Sequence, residues 1–186
     1  MRTAPTRSGH PRWRGLAAAI GVLVAMGLVA PLPAAAEWTT PVNLSAAGQN
    51  ASSHQVAVDA DGDAVFTWLR SDGAHQRVQE RARSAAGALS AVQTLSAQGQ
   101  NASVPQVAVD ADGDAIFTWV RSDGANTRVQ TRARSAAGAL SAVQTLSGQG
   151  QNAFNPQGAV DADGDAVFTW QRSDGTNSRI QASAGP

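Results

Sequence analysis

The sequence predicts an all-β protein made of three copies of one 51-residue unit. Three observations carry this. "VDADGDAVFTW" at residues 58–68 returns at 109–119 with one Val replaced by Ile, and unchanged at 160–170. Asp63, Asp114 and Asp165 are 51 residues apart, as are Trp68, Trp119 and Trp170, so no insertion breaks the register. Within each unit, runs rich in β-branched and aromatic residues alternate with Asp-Gly turns, and no stretch beyond the N-terminal segment has helical periodicity.

The N-terminal segment, residues 1–36, reads as an export signal. Arg2, Arg7, Arg12 and Arg14 precede an apolar run from Gly15 to Ala30, and Ala34-x-Ala36 offers a small-residue cleavage site between Ala36 and Glu37. The run falls short of the roughly 20 residues of a membrane span, and Pro31 and Pro33 close it. The expectation is a secreted, extracellular chain with no stable membrane span after cleavage. Cleavage removes four of the fourteen basic residues and none of the fourteen acidic ones, leaving a net charge of −4. Nucleic-acid binding needs a basic footprint, so no such partner is expected. Cysteine is absent, which excludes disulfides, thiolate metal sites and a cysteine nucleophile.

The mature chain divides into repeats at about 46–96, 97–147 and 148–186. In the first, "QVAVD" and "DAVFTWLR" are β-rich runs joined by "ADG", which predicts a hairpin. "SDGA" turns the chain into a third strand, "QRVQERAR". "SAAG" leads to a fourth, "ALSAVQTLS". In the second strand Ala64, Phe66 and Trp68 share one face and Val65, Thr67 and Leu69 the other, so both faces need cover. Residues 55–91 and 106–142 match at 32 of 37 positions, closer than packing alone requires. "WTTPVNLS" (38–45) aligns at the same offset with "LSAVQTLS" (89–96), and the third unit has no such stretch. Residues 38–45 therefore supply the missing last strand.

A four-stranded unit of this length, apolar on both faces of a middle strand, resembles a blade of the β-propeller repeats of secreted bacterial, actinobacterial-like proteins. The resemblance covers residues 38–182 and implies three propeller-blade-like repeats. The signatures of sialidase Asp-boxes, WD-dipeptide repeats and kelch repeats are missing. Three blades are fewer than the usual four to eight or so, so the expected outcomes are a six-blade ring of two chains or an open arc with exposed edges. The alternative is a β-trefoil or β-prism, which closes with three units. "DADGDAVFT" loosely resembles the motif of bulb-type mannose lectins, with Asp59, Asp63 and Thr67 replacing that motif's Gln, Asn and Tyr.

The recurring carboxylates Asp59, Asp61 and Asp63 sit at alternate positions of a tight loop, a spacing that suits calcium. Gly62 is fourth and Arg70 twelfth, where EF-hand loops place Gly sixth and Glu twelfth. The sequence therefore predicts a turn, with Asp side chains capping main-chain amides and no metal or cofactor. Three near-copies of one loop do not provide the unlike carboxylates of acid–base catalysis. His54, His75, Glu80 and Phe154, unique to one unit, form no recognisable catalytic set, so no enzyme and no catalytic residue is predicted. Trp68, Trp119 and Trp170 are expected in the core rather than as sugar platforms. Arg77, Arg81 and Arg83, repeated as Arg128, Arg132 and Arg134, are expected to be solvated or paired with nearby Asp. The candidate binding residues are Gln49, Asn50, Gln100, Asn101, Gln151 and Asn152, in the longest polar connections, whose amides both donate and accept. The resemblance implies that these loops share an end with the "SDG" turns. The expected function is non-enzymatic binding or cell-surface scaffolding, with a homo-oligomer, a glycan or a cell-surface protein as partner. The alternative is a three-site carbohydrate-binding lectin.

Overall fold

Asp59 sets the first reversal of the chain. Its Oδ1 accepts the N–H groups of Asp61 at 3.0 Å and Asp63 at 2.9 Å, while Gly62 takes φ +87°, which costs glycine little. Asp110 and Asp161 repeat the arrangement in the later units. These turns join strands in a computed structural model that describes residues 38–185; the expected cleavage site at Ala36 and Glu37 lies outside those residues.

The described chain is all-β, in three antiparallel sheets that follow one another in sequence. Sheet 1 runs β1 (Ala51–Val58), β2 (Ala64–Ser71), β3 (Gln76–Arg83) and β4 (Gln93–Thr94). Sheet 2 runs β5 (Ala102–Val109), β6 (Ala115–Ser122), β7 (Thr127–Arg134) and β8 (Gln144–Thr145). Sheet 3 has three strands, β9 (Ala153–Val160), β10 (Ala166–Ser173) and β11 (Ser178–Gly185). In every sheet, strands adjacent in sequence are adjacent in space, so each connection is short. All three sheets belong to one compact unit that starts at Pro41.

The first strand of each sheet begins four residues before the run that predicts it. A register shift between Ser52 and Gln55 accommodates the extra length, and Ser53 takes φ 53° there. Val104 and Asn155 occupy the same position in β5 and β9 with φ 50° and 49°. The fourth strand is far shorter than predicted, two residues instead of nine. Serine hydroxyls replace the missing ladder. Ser90 Oγ accepts the Ala82 N–H and Ser96 Oγ accepts the Val78 N–H, while Leu95 N–H still donates to Val78 O at 2.8 Å. Arg81 Nε donates to Ser90 O and Arg77 to Ser96 O, so the guanidinium groups hold the segment on β3. Ser141, Ser147, Arg132 and Arg128 repeat this in sheet 2.

The two-faced apolar pattern of the second strand builds two cores. Between sheets 1 and 2, Val65, Leu69, Val78 and Leu95 pack with Ala115, Phe117 and Trp119. Between sheets 2 and 3, Val120 and Val129 pack with Ala166, Phe168 and Trp170. Trp68, Trp119 and Trp170 are all buried, on the strand faces they share with Phe66, Phe117 and Phe168. Thr67 and Thr118, also buried, donate from Oγ1 to Gln79 O and Gln130 O, so the polar atom on an apolar face is satisfied. Sheet 2 lies between its neighbours, and among the described residues no buried cluster joins sheet 1 to sheet 3.

Candidate functional site

The turns sort onto two ends. At one end the Asp-Gly turn meets the "SAAG" turn, because Asp63 Oδ1 accepts the Ala85 N–H at 2.7 Å and Asp114 Oδ1 the Ala136 N–H. At the other the "SDG" turn meets the loop into the next sheet, because Asn101 Oδ1 accepts the Gln76 N–H at 2.8 Å. Asn152 Oδ1 does the same for Thr127.

At the Asp-Gly end a cleft of about 370 Å³ opens between sheets 1 and 2, with Asp59, Asp61, Asp63, Asp112, Arg83 and Arg134 among its walls. A similar one of about 310 Å³, with Asp110, Asp114 and Arg134, lies between sheets 2 and 3. Four of the carboxylates in these walls already serve the backbone: Asp59 and Asp110 cap their own turns, and Asp63 and Asp114 hold the neighbouring turn. Their chemistry is that of turn construction.

At the other end, Asp72 Oδ1 accepts the N–H groups of Ala74 and His75, and Oδ2 takes Arg77 Nη1 at 2.9 Å. Main-chain donation from His75, followed by the Arg77 guanidinium, holds the Asp72 carboxyl well below the usual carboxylate range. Asp123 is lowered by Asn126 and Ala125 and then Arg128, and Asp174 is lowered to about 2 by Asn177, then Arg179. Arg77 and Arg128 are mostly buried. Of the two expectations for these arginines, pairing with a nearby Asp holds for Arg77 and Arg128, which are buried rather than solvated and also tie the turn to the fourth strand.

Of the six candidate binding residues, Asn101 and Asn152 each hold the next sheet to the preceding hairpin through Oδ1, which leaves Nδ2 to donate outward. Gln49 and Asn50 are exposed, and Gln100 and Gln151 half-buried. The loops also give main-chain acceptors to the second strand: Ala47 O to Arg70, Gln98 O to Arg121 and Gln149 O to Arg172. Neither of the two clefts at the Asp-Gly end is lined by any of the six. They form a polar rim rather than a pocket.

Glu80, singled out in the sequence as unique to one unit, takes part in a contact between sheets. Glu80 is fully buried in sheet 1, and its carboxylate lies 3.6 Å from Nε of Arg134, itself buried in sheet 2. Neither carboxylate oxygen, nor that Nε, has a hydrogen-bond partner among the described residues. Burial pushes the Glu80 carboxyl up, and the Arg134 charge opposes this. The signal was a single departure from the repeat, Glu80 where unit 2 has Thr131 and unit 3 has Ala182.

No protein-family model and no curated protein matches the chain. Among solved structures, an endo-arabinase from Bacteroides thetaiotaomicron VPI-5482 is similar, with a TM-score of 0.51 and 10% sequence identity. The alignment covers 79% of this chain and 61% of that one, so the chain spans less than two thirds of its neighbour's length. A likeness at this identity is one of fold.

Proposed function

We propose that the chain is an exported, non-enzymatic β-blade scaffold whose Gln/Asn rim binds an extended partner at a cell surface. The blade reading is supported by the stacking of the sheets. Sheet 2 is covered on both faces and the outer sheets on one, the pattern of a section of a propeller. A closed threefold β-trefoil or β-prism would bring each unit against both others. The observation that carries the binding reading is the fixed amide of Asn101 and Asn152. A main-chain N–H holds Oδ1, which orients Nδ2 as a donor at the same place in two successive units. Preorganised donors on a rigid frame suit hydroxyl or amide acceptors. A rim without a cleft favours a polymer or protein surface over a small molecule.

The test uses Asn101→Asp with Asn152→Asp. Each carboxylate keeps the Oδ1 acceptor and loses the Nδ2 donor. The expected result is an unchanged thermal transition with loss of binding to washed cells and to immobilised cell-surface glycans. Equal binding by the variant overturns the rim as the site.

A second reading, hydrolysis of a glycan, draws on the endo-arabinase likeness alone. Incubation with arabinan followed by reducing-sugar measurement checks it; no release of sugar would overturn that reading.

A further inference from the structure

Four exposed hydrophobic side chains, Val56 and Val58 of sheet 1 and Val167 and Ile180 of sheet 3, lie on the two free faces of the stack, and each has a buried or packed counterpart inside it. Val78 and Val129 are 0% exposed in the cores between sheets, whereas Ile180, at the same position of β11, is 71% exposed. Val167 is exposed where Val65 is buried. On the opposite face of the molecule Val56 and Val58 are exposed, while Val107 and Val109 pack against the core between sheets 1 and 2.

Polar groups follow the same rule. Arg77 and Arg128 side chains are 9% and 11% exposed and donate to Ser96 and Ser147, but Arg179 is 64% exposed and among the described residues pairs only with Asp174. The outer edge of β11 is unpaired among the described residues. At the sheet 1 face, Leu44 and Ser45 already occupy the place that Leu95 and Ser96 take against sheet 2. Arg81 Nη1 donates to Leu44 O at 3.2 Å just as Arg132 Nη1 donates to Leu95 O at 3.2 Å. Arg70 donates to Ala47 O as Arg121 does to Gln98 O.

We propose that the open face of sheet 3 docks on the open face of sheet 1 of a second copy, with residues 42–45 of that copy completing sheet 3. The interface would repeat the main-chain and serine contacts of the two formed inside the chain. Gln79 pairs with Thr94 and Gln130 with Thr145, so Gln181 pairs with Asn43 of the other copy. Leu95 N–H donates to Val78 O and Leu146 N–H to Val129 O, so Leu44 N–H donates to Ile180 O. Ser45 Oγ accepts from the Ile180 N–H as Ser96 and Ser147 do from Val78 and Val129. Asn50, exposed within one copy, takes the Ser178 N–H as Asn101 and Asn152 take Gln76 and Thr127. Two such contacts close a head-to-tail pair with six sheets, within the roughly four to eight of closed rings, and leave no edge.

This rests on the blade reading, and the test separates the two. The full chain has no cysteine, so Asn43→Cys with Gln181→Cys is the only thiol pair present. Mild oxidation is expected to give a covalent dimer on a non-reducing gel, and Thr40→Cys with Gln181→Cys, three residues out of register, is expected to give none. Light scattering of the unmodified chain should report twice the chain mass, and Ile180→Asp should halve it. Ile180 is exposed within one copy, so that variant retains its fold. A folded monomer, an intrachain disulfide or a ladder of higher oligomers overturns the second copy while leaving the blades intact. A circular dichroism spectrum without β-sheet overturns the blades themselves.

Discussion

Asn101 Oδ1 accepts the main-chain N–H of Gln76 at 2.8 Å, so one side chain holds the hairpin of sheet 1 to the start of sheet 2. The bond bridges residues 25 apart in sequence, and the equivalent bond from Thr127 to Asn152 shows it to be part of the unit. Replacing Asn101 with Ala removes the acceptor. The expected loss is about 1 kcal/mol, measured by urea denaturation, with Asn101→Asp close to the original chain. If Ala and Asp behave alike, the bond contributes nothing to holding the sheets together.

Val104 has φ 50° and is partly exposed at the register shift of β5. A β-branched residue is a poor occupant of the left-handed region, where the cost is of order 1–3 kcal/mol. Unit 3 has Asn155 at that position with nearly the same φ, and Asn tolerates it. Val104→Asn is therefore expected to stabilise the chain by about 1 kcal/mol, seen as a raised melting temperature. A lowered one would show that the Val104 side chain contributes more by packing than its backbone costs.

That strained position explains part of what was legible. The middle strands and the turns could be read because their signals are local: Phe66 and Trp68 alternate with Val65 and Leu69, and Gly62 follows Asp61. The register shift could not, since Val104 carries no left-handed signal. The fourth strand was overestimated for a related reason. "ALSAVQTLS" has the composition of a strand, but Ser90 and Ser96 accept main-chain donors through their hydroxyls, and few ladder bonds remain. The loops of the candidate amides share an end with the "SDG" turns, as the resemblance implies. Their attachment to the neighbouring hairpin depends on two units meeting, which one unit's sequence does not display.

Acid should unfold the chain through the hairpin aspartates. Asp174 ionises at about 2 when folded against the usual 3.8, so the unfolded chain takes up its proton first as the pH falls. The stabilisation is complete above 3.8 and is lost on the way down to about 2. Asp72 and Asp123 act in the same direction. The melting temperature is expected to fall across this window, and to fall less when Asp72, Asp123 and Asp174 are all replaced by Asn. Glu80 acts oppositely. Its raised carboxyl protonates first in the folded chain, so it favours folding as the pH drops towards its usual 4.5.

Glu80 and Arg134 form a charged pair in the contact between sheets 1 and 2 that has no counterpart between sheets 2 and 3. At the second contact the corresponding residues are Thr131 and Gly185, which carry no charge. A buried pair 3.6 Å apart without hydrogen bonds to the facing atoms gains little from its attraction once desolvation is counted. Removing one member leaves the other charge buried and alone, at a cost of about 3–5 kcal/mol. Glu80→Thr and Arg134→Met should therefore each destabilise strongly, while the double variant recovers most of the loss and loses the Glu80 contribution to the pH profile. Denaturant titration of all four chains measures the coupling. Additive losses would mean that the two charges do not sense one another, and that each is stabilised by groups within its own sheet.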